Sequence, residues 1–99
     1  MENFKLELSK ASFKMDKDVI AYVIYINSQK IGLLQSMIES YEGIGIVRTL
    51  DESKGLLSVL ASNNHKEIVL SVLEELRIAL SIVPAPLPEE EYSRYLLNT

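Results

Sequence analysis

Few residues in this 99-residue chain have side chains that carry out chemistry, and they are scattered. The single histidine, His65, has one carboxylate close by at Glu67, and the chain contains no cysteine. One imidazole and one carboxylate do not make a metal site, and no motif places a serine beside the histidine as a nucleophile. We therefore expect a chain that is not an enzyme, with no catalytic residue, metal or cofactor. His65 is interpreted as an exposed residue at a helix start, with a proton carrier as the alternative.

One polar segment combines features of a binding site. It joins an apolar stretch to an amphipathic one and contains a lysine and a glycine. Free backbone amides of a first helical turn, together with the Lys30 ammonium, would form a small positive site for a carboxylate-bearing metabolite. Gly32 would let a ligand or a neighbouring backbone approach closely; alternatively, it only relieves a tight contact between helix and sheet. The predicted ligand-binding residues are Ser28, Gln29, Lys30, Ile31, Gly32 and Leu33.

The elements around this segment follow from hydrophobic periodicity. Residues 19–26 are apolar on both faces, which is typical of a central strand. From Ser28 onward the apolar positions recur at three and four residues, which predicts a helix over residues 29–42 that Ser28 caps and Gly43 ends. Residues 44–50 and 56–62 flank a polar loop with a glycine, which predicts an antiparallel hairpin.

The second half of the chain continues the alternation of helix and strand. Asn64 followed by Glu67 predicts a capping box for a second helix that runs to about Ala79. A short strand over residues 81–84 meets prolines at 84, 86 and 88, which fit only a sheet edge or a strand end. The tail beyond it is predicted to form a short docked helix with an acidic first turn.

The order of these elements is βαββαβ, which predicts an α+β fold of the ferredoxin-like type. Its antiparallel sheet would have the order 4-1-3-2, with both helices on one face. In the first 18 residues Phe4, Leu6 and Leu8 alternate with polar residues, which indicates an extra edge strand or a partly ordered arm. The predicted organisation is an arm over residues 1–18, the domain over 19–84 and a tail over 85–99.

The helix-free face of such a sheet would expose an apolar patch of several hundred Å², which soluble monomers rarely leave uncovered. Its cover could be a second copy of the chain, the arm, or the tail, possibly exchanged between copies. We predict a homodimer. Arg48, inside an apolar strand, is interpreted as a charge that prevents edge association rather than as a substrate ligand.

Composition excludes several other functions. The formal charge of −4 and the scattered lysines make nucleic acid and anionic membranes unexpected partners. Apolar segments of about eight to ten residues are shorter than the roughly 20 that a membrane helix requires. The lack of cysteine and of an export-type start predicts a cytoplasmic protein.

The segment Gln29 to Leu34 and the stretch Gly43 to Ile46 resemble ACT domains, above all the small stand-alone ACT-like proteins of bacteria that have no assigned function. The resemblance spans roughly residues 18–84. Gly32 matches the glycine of the family's effector-binding turn, whereas Gln29 stands where the family usually has aspartate and Ile31 where it often has proline. The resemblance implies a regulatory module that binds an amino acid or a carboxylate metabolite at a homodimer interface. The alternative is an interaction or structural module without a small ligand.

Overall fold

The computed structural model describes residues 3–41 and 43–97. Residues 1, 2, 42, 98 and 99, which belong to the predicted arm, first helix and tail, lie outside the described residues. The elements in chain order are α1 (Phe4–Lys10), β1 (Ser12–Asp16), β2 (Val19–Tyr25), a 3-10 turn (Ser28–Lys30), α2 (Ile31–Ser40), β3 (Gly45–Asp51), β4 (Leu56–Ser62), α3 (Lys66–Leu76), β5 (Val83–Pro84) and α4 (Glu89–Leu97). Across the described ranges, no helix is both long enough and apolar enough to cross a membrane.

The five strands form one antiparallel sheet, which confirms the predicted α+β class. The longer strands lie in the order β1-β2-β4-β3, and β5 pairs with β2 outside this path. The predicted order gave the edge beside the strand at 19–26 to the last strand. In the structure β1 occupies most of that edge, and β5 pairs there only through Val83 and Pro84.

Strand β2 is buried on both faces, as its two-sided apolar pattern predicts. One face carries Tyr22 and Ile24, which belong to the core under α2 and α3. The other carries Ala21 and Val23, which belong to a second buried cluster. The strand therefore lies between two hydrophobic layers. It ends at Tyr25, shortly before the 3-10 turn of residues 28–30.

Helix α4 covers the centre of the sheet face opposite α2 and α3. Its Tyr92 ring stacks on Phe13 of β1, with centroids 4.5 Å apart and an interplanar angle of 9°. The Tyr92 hydroxyl lies 2.9 Å from the hydroxyl of Ser58, which is fully buried in β4. Of the covers expected for this face, the chain's own tail is therefore the one observed. The uncovered patch that led us to predict a homodimer is largely absent.

The amino-terminal segment forms a helix instead of the strand expected from its alternation. Phe4 and Leu8 are buried, whereas Leu6 between them is 53% exposed. Residues four apart lie on the same face of a helix, so Phe4 and Leu8 both point into the core from α1. Leu6 lies on the opposite face and points to solvent. The Asn3 side chain caps this helix by accepting a hydrogen bond from the Leu6 amide at 3.1 Å. The extra edge strand is instead β1.

Several element ends differ from the predicted ones. Helix α2 ends at Ser40 with the extended Tyr41 as its C-cap, so Gly43 lies beyond the helix end and is not its stop, although its φ of 79° is left-handed. Helix α3 begins at Lys66 without a side-chain cap, so the predicted Asn64 capping box is wrong. It ends at Leu76 rather than Ala79. Ser81 has a φ of 55°, which removes it from the predicted strand.

Candidate functional site

The predicted binding segment is the turn between β2 and α2, and Asn27 organises it. The Asn27 side-chain oxygen accepts a hydrogen bond from the Gln29 amide at 3.0 Å. Its carbonyl oxygen accepts another from the Lys30 amide at 2.8 Å. Asn27 is therefore the cap of this turn, and the prediction that Ser28 provides the cap is wrong.

This arrangement changes the electrostatics expected of the turn. Two of the amides predicted to be free for an anion, those of Gln29 and Lys30, already donate to Asn27. The positive feature that remains is the Lys30 ammonium, because its side chain is exposed and forms no ion pair with any described residue. A bound carboxylate would therefore depend more on this side chain than on the helix start.

Gly32 lies in open space on the first turn of α2. A Cβ atom built at this glycine would meet no heavy atom within 4 Å beyond its chain neighbours and the backbone of its own helix. The alternative that Gly32 relieves a tight contact between helix and sheet is therefore wrong. Glycine inside a helix costs about 1 kcal/mol relative to alanine, and nothing in the packing of the described residues offsets that cost here.

Gly55, in the hairpin loop between β3 and β4, is by contrast a crowded glycine. A Cβ atom at Gly55 would collide with the carbonyl of Ile26, and its φ is 68°. The Ile26 amide donates to the Gly55 carbonyl at 2.8 Å, and the Asn27 amide donates to the Leu80 carbonyl at 3.2 Å. The turn is thus held on two sides. The sequence indicates the chain reversal at Gly55 but carries no sign of this packing.

The six predicted site residues lie together at this one place in the fold. Ser28, Gln29 and Lys30 are exposed, and Leu33 is 48% exposed. Ile31 points into the core and is 8% exposed, so it anchors the turn. None of these residues lines any of the three cavities described for this structure. The turn is therefore a surface that a ligand could reach from solvent.

The structure places a serine beside the only histidine, which the sequence pattern did not reveal. The Ser62 hydroxyl lies 2.7 Å from Nδ1 of His65, and the His65 amide donates to the Ser62 carbonyl at 2.9 Å. Both contacts close the tight turn from β4 into α3. Among the described residues, no group of three or more His, Cys, Asp or Glu side chains is placed to hold a metal ion.

A second surface feature is an apolar cavity of about 360 Å³ where β2 and β3 begin and β4 ends. Val19 and Leu60 form part of its wall, and Ile46 at its side is 64% exposed. These residues continue the sheet face that α4 covers. Arg48, further along β3, is exposed on this edge strand.

Comparisons with known proteins identify a family but no described activity. Neither the curated proteins nor the solved structures contained a match to this chain. A family profile matches residues 24–79, which include the whole turn, β3, β4 and α3. Because this match covers more than half of the 99 residues, the chain belongs to the family described as a domain of unknown function, DUF4911.

Proposed function

We propose that this chain is a non-catalytic regulatory module that binds a small effector at the turn formed by residues 28–33. The effector would carry a carboxylate, as amino acids and many metabolites do. The proposed architecture is a ferredoxin-like sandwich of the ACT type. Support for it comes from the hairpin of β3 and β4 and from the pairing of β5 with β2. We further propose that the module acts in the cytoplasm.

The open position of Gly32 is the observation that carries this proposal. A glycine at a crowded contact or at a left-handed φ has a structural reason, and Gly32 has neither. A ligand that must approach the backbone of α2 supplies a reason, because any side chain there would block the approach. The exposed Lys30 ammonium beside it provides the charge complementary to a carboxylate.

An effector on this surface would need a second wall. A ligand site usually buries most of its ligand, and the exposed residues 28–30 cannot do so alone. We propose that a second copy of the chain provides that wall, with the half-exposed Leu33 at the contact. Effector binding would then favour the dimer, because only the dimer completes the site.

A thermal-shift screen of amino acids and carboxylate metabolites tests this proposal. A genuine effector should raise the melting temperature of the natural chain. The rise should be absent in Gly32→Trp, whose indole would fill the approach to the helix. Ser40→Trp is the matched control, because Ser40 is exposed at the far end of α2, about two turns from Gly32, and should leave binding intact. A flat response across the screen, or equal loss in both variants, would remove the support for an effector at this turn.

The exposed apolar cavity at the start of β3 favours a second candidate, an interaction module without a small ligand. A homodimer would in that case form through Ile46 and its surroundings rather than beside the turn. Light scattering at tens of micromolar distinguishes the two candidates. A dimer without added ligand that Ile46→Lys dissociates supports the second, whereas a dimer that forms only with effector supports the first.

A further inference from the structure

A separate cavity of about 260 Å³ lies between α1 and the segment that follows α3. Its lining residues come from α1, from the segment between α3 and β5, and from β5 itself: Phe4, Glu7, Arg77, Ile82, Val83 and Pro84. None of them belongs to the turn at 28–33. Its volume lies just below the roughly 300 Å³ at which typical ligand pockets begin, so it suits a small molecule.

Local hydrogen bonds fix the shape of this cavity. The Lys5 ammonium donates to the Ser71 hydroxyl at 3.1 Å and ties α1 to α3. The Ile82 amide donates to the Arg77 carbonyl at 2.9 Å and closes the turn behind α3. Ser81 adopts its left-handed conformation inside this turn. The walls are therefore formed before any ligand arrives.

Arg77 is the cation of the cavity. Its guanidinium carbon lies 5.0 Å from the centroid of the Phe4 ring, a cation–π contact that orients the planar group. Among the residues that the structure describes, Arg77 has no carboxylate within 4.0 Å, and no side-chain hydrogen bond from it is found. Its donors are therefore available for a carboxylate, which a guanidinium binds through two parallel hydrogen bonds.

Glu7 limits which anions fit. It lies three residues after Phe4 on α1, so both side chains project from the same side of that helix. Its carboxylate is 3.5 Å from the Lys10 ammonium in a solvent-exposed pair that screens it only partly. A ligand with one carboxylate can place it at Arg77, but a second negative charge would meet Glu7.

We propose that this cavity binds a small monocarboxylate with an apolar body. Arg77 holds the carboxylate, and Phe4, Ile82 and Pro84 contact the apolar part. Phe4 and Ile82 are only 5% and 3% exposed and belong to the core, so they form the floor of the cavity, whereas Val83 at its side is 55% exposed. The site lies outside the turn and does not depend on the effector proposed there.

Titration of the full chain with benzoate, followed by calorimetry or amide NMR shifts, tests this proposal. We expect saturable benzoate binding that Arg77→Met weakens about tenfold or more, the loss typical of a charge-assisted pair. Methionine keeps an apolar stem against Phe4, so the fold should persist. Arg77→Lys should bind with intermediate affinity, because it keeps the charge and loses the planar fork. Arg48→Met is the matched control, since it removes the same charge from an exposed strand outside the cavity.

Phthalate, which carries two carboxylates, tests the role of Glu7. It should bind about fivefold more weakly than benzoate. Glu7→Gln removes the repelling charge and should therefore reduce the difference in affinity between the two ligands. Gly32→Trp should leave benzoate binding unchanged. Benzoate binding that persists in Arg77→Met, or that Gly32→Trp abolishes, would overturn the assignment of this cavity. In the latter case the effector proposal at the turn would survive.

Discussion

Removing the hydroxyl group of Tyr92 should show how much the contact of α4 with the sheet contributes to stability. Tyr92 is 3% exposed, and its hydroxyl is the hydrogen-bond partner of the Ser58 hydroxyl at 2.9 Å, which is 0% exposed. It also donates to the Met15 sulfur at 3.7 Å. Tyr92→Phe keeps the ring stacked on Phe13 but leaves Ser58 buried without that partner. An unsatisfied buried hydroxyl costs about 1–3 kcal/mol.

Urea and thermal unfolding measure this cost directly. In a domain of this size each kcal/mol lowers the melting temperature by roughly 4–8 °C. The double variant Ser58→Ala with Tyr92→Phe should recover most of the loss, because both partners are then apolar. Tyr95→Phe on the same helix is the control and should change little. A Tyr92→Phe protein as stable as the natural chain, or additive losses in the double variant, would refute this account of the sealed face.

Three further predictions concern stability. Gly55→Ala should destabilise the fold by about 2 kcal/mol or more in urea, because alanine is strained at a φ of 68° and collides with the turn. Gly32→Ala should instead raise the free energy of unfolding by about 0.5–1 kcal/mol, since its Cβ enters open space on a helix. Burial, and to a lesser degree the Glu67 carboxylate, raises the pKa of Tyr22 above its ordinary 10.0. The folded state thus holds that proton more tightly, so stability should fall as pH rises above about 10, and urea unfolding of Tyr22→Phe should show a smaller fall.

The central strand β2 and the helices α2 and α3 could be predicted from the sequence, because their buried positions follow from the local pattern of apolar residues. The three-and-four spacing of α2 and α3 indicates helices, and the β-branched and aromatic residues of the short apolar run identify β2 as a strand. The hairpin of β3 and β4 was signalled by Gly55 in a polar loop. The acidic first turn and the spaced tyrosines of the tail likewise predicted α4.

The remainder depended on contacts that no local pattern reports. In α1 the spacing of Phe4 and Leu8 fits a helix, but Leu6 completes a strand-like alternation, and only burial decides between them. The sequence left three possible covers for the open sheet face. The observed one depends on the Tyr92 stack, a contact between residues far apart in the chain.

The sequence predicted which residues of the candidate site lie together, but not which of their backbone amides are free to bind a ligand. Residues 28–33 do lie together after β2, in the turn and the start of α2, and all but Ile31 are exposed. The amides of Gln29 and Lys30, however, are engaged by Asn27, whose capping role the pattern assigned to Ser28. The Arg77 cavity escaped prediction because Phe4 and Arg77 meet only once α1 packs beside the end of α3.

Mapping the contact of an effector by amide NMR is the most direct test of the proposed function. The natural chain, labelled with ¹⁵N, would be titrated with the strongest compound of the thermal-shift screen. The account predicts that the largest shifts occur at the amides of residues 28–33 and that they vanish in Gly32→Trp but persist in Ser40→Trp. Shifts confined to other parts of the chain, with residues 28–33 unmoved at saturation, would contradict it.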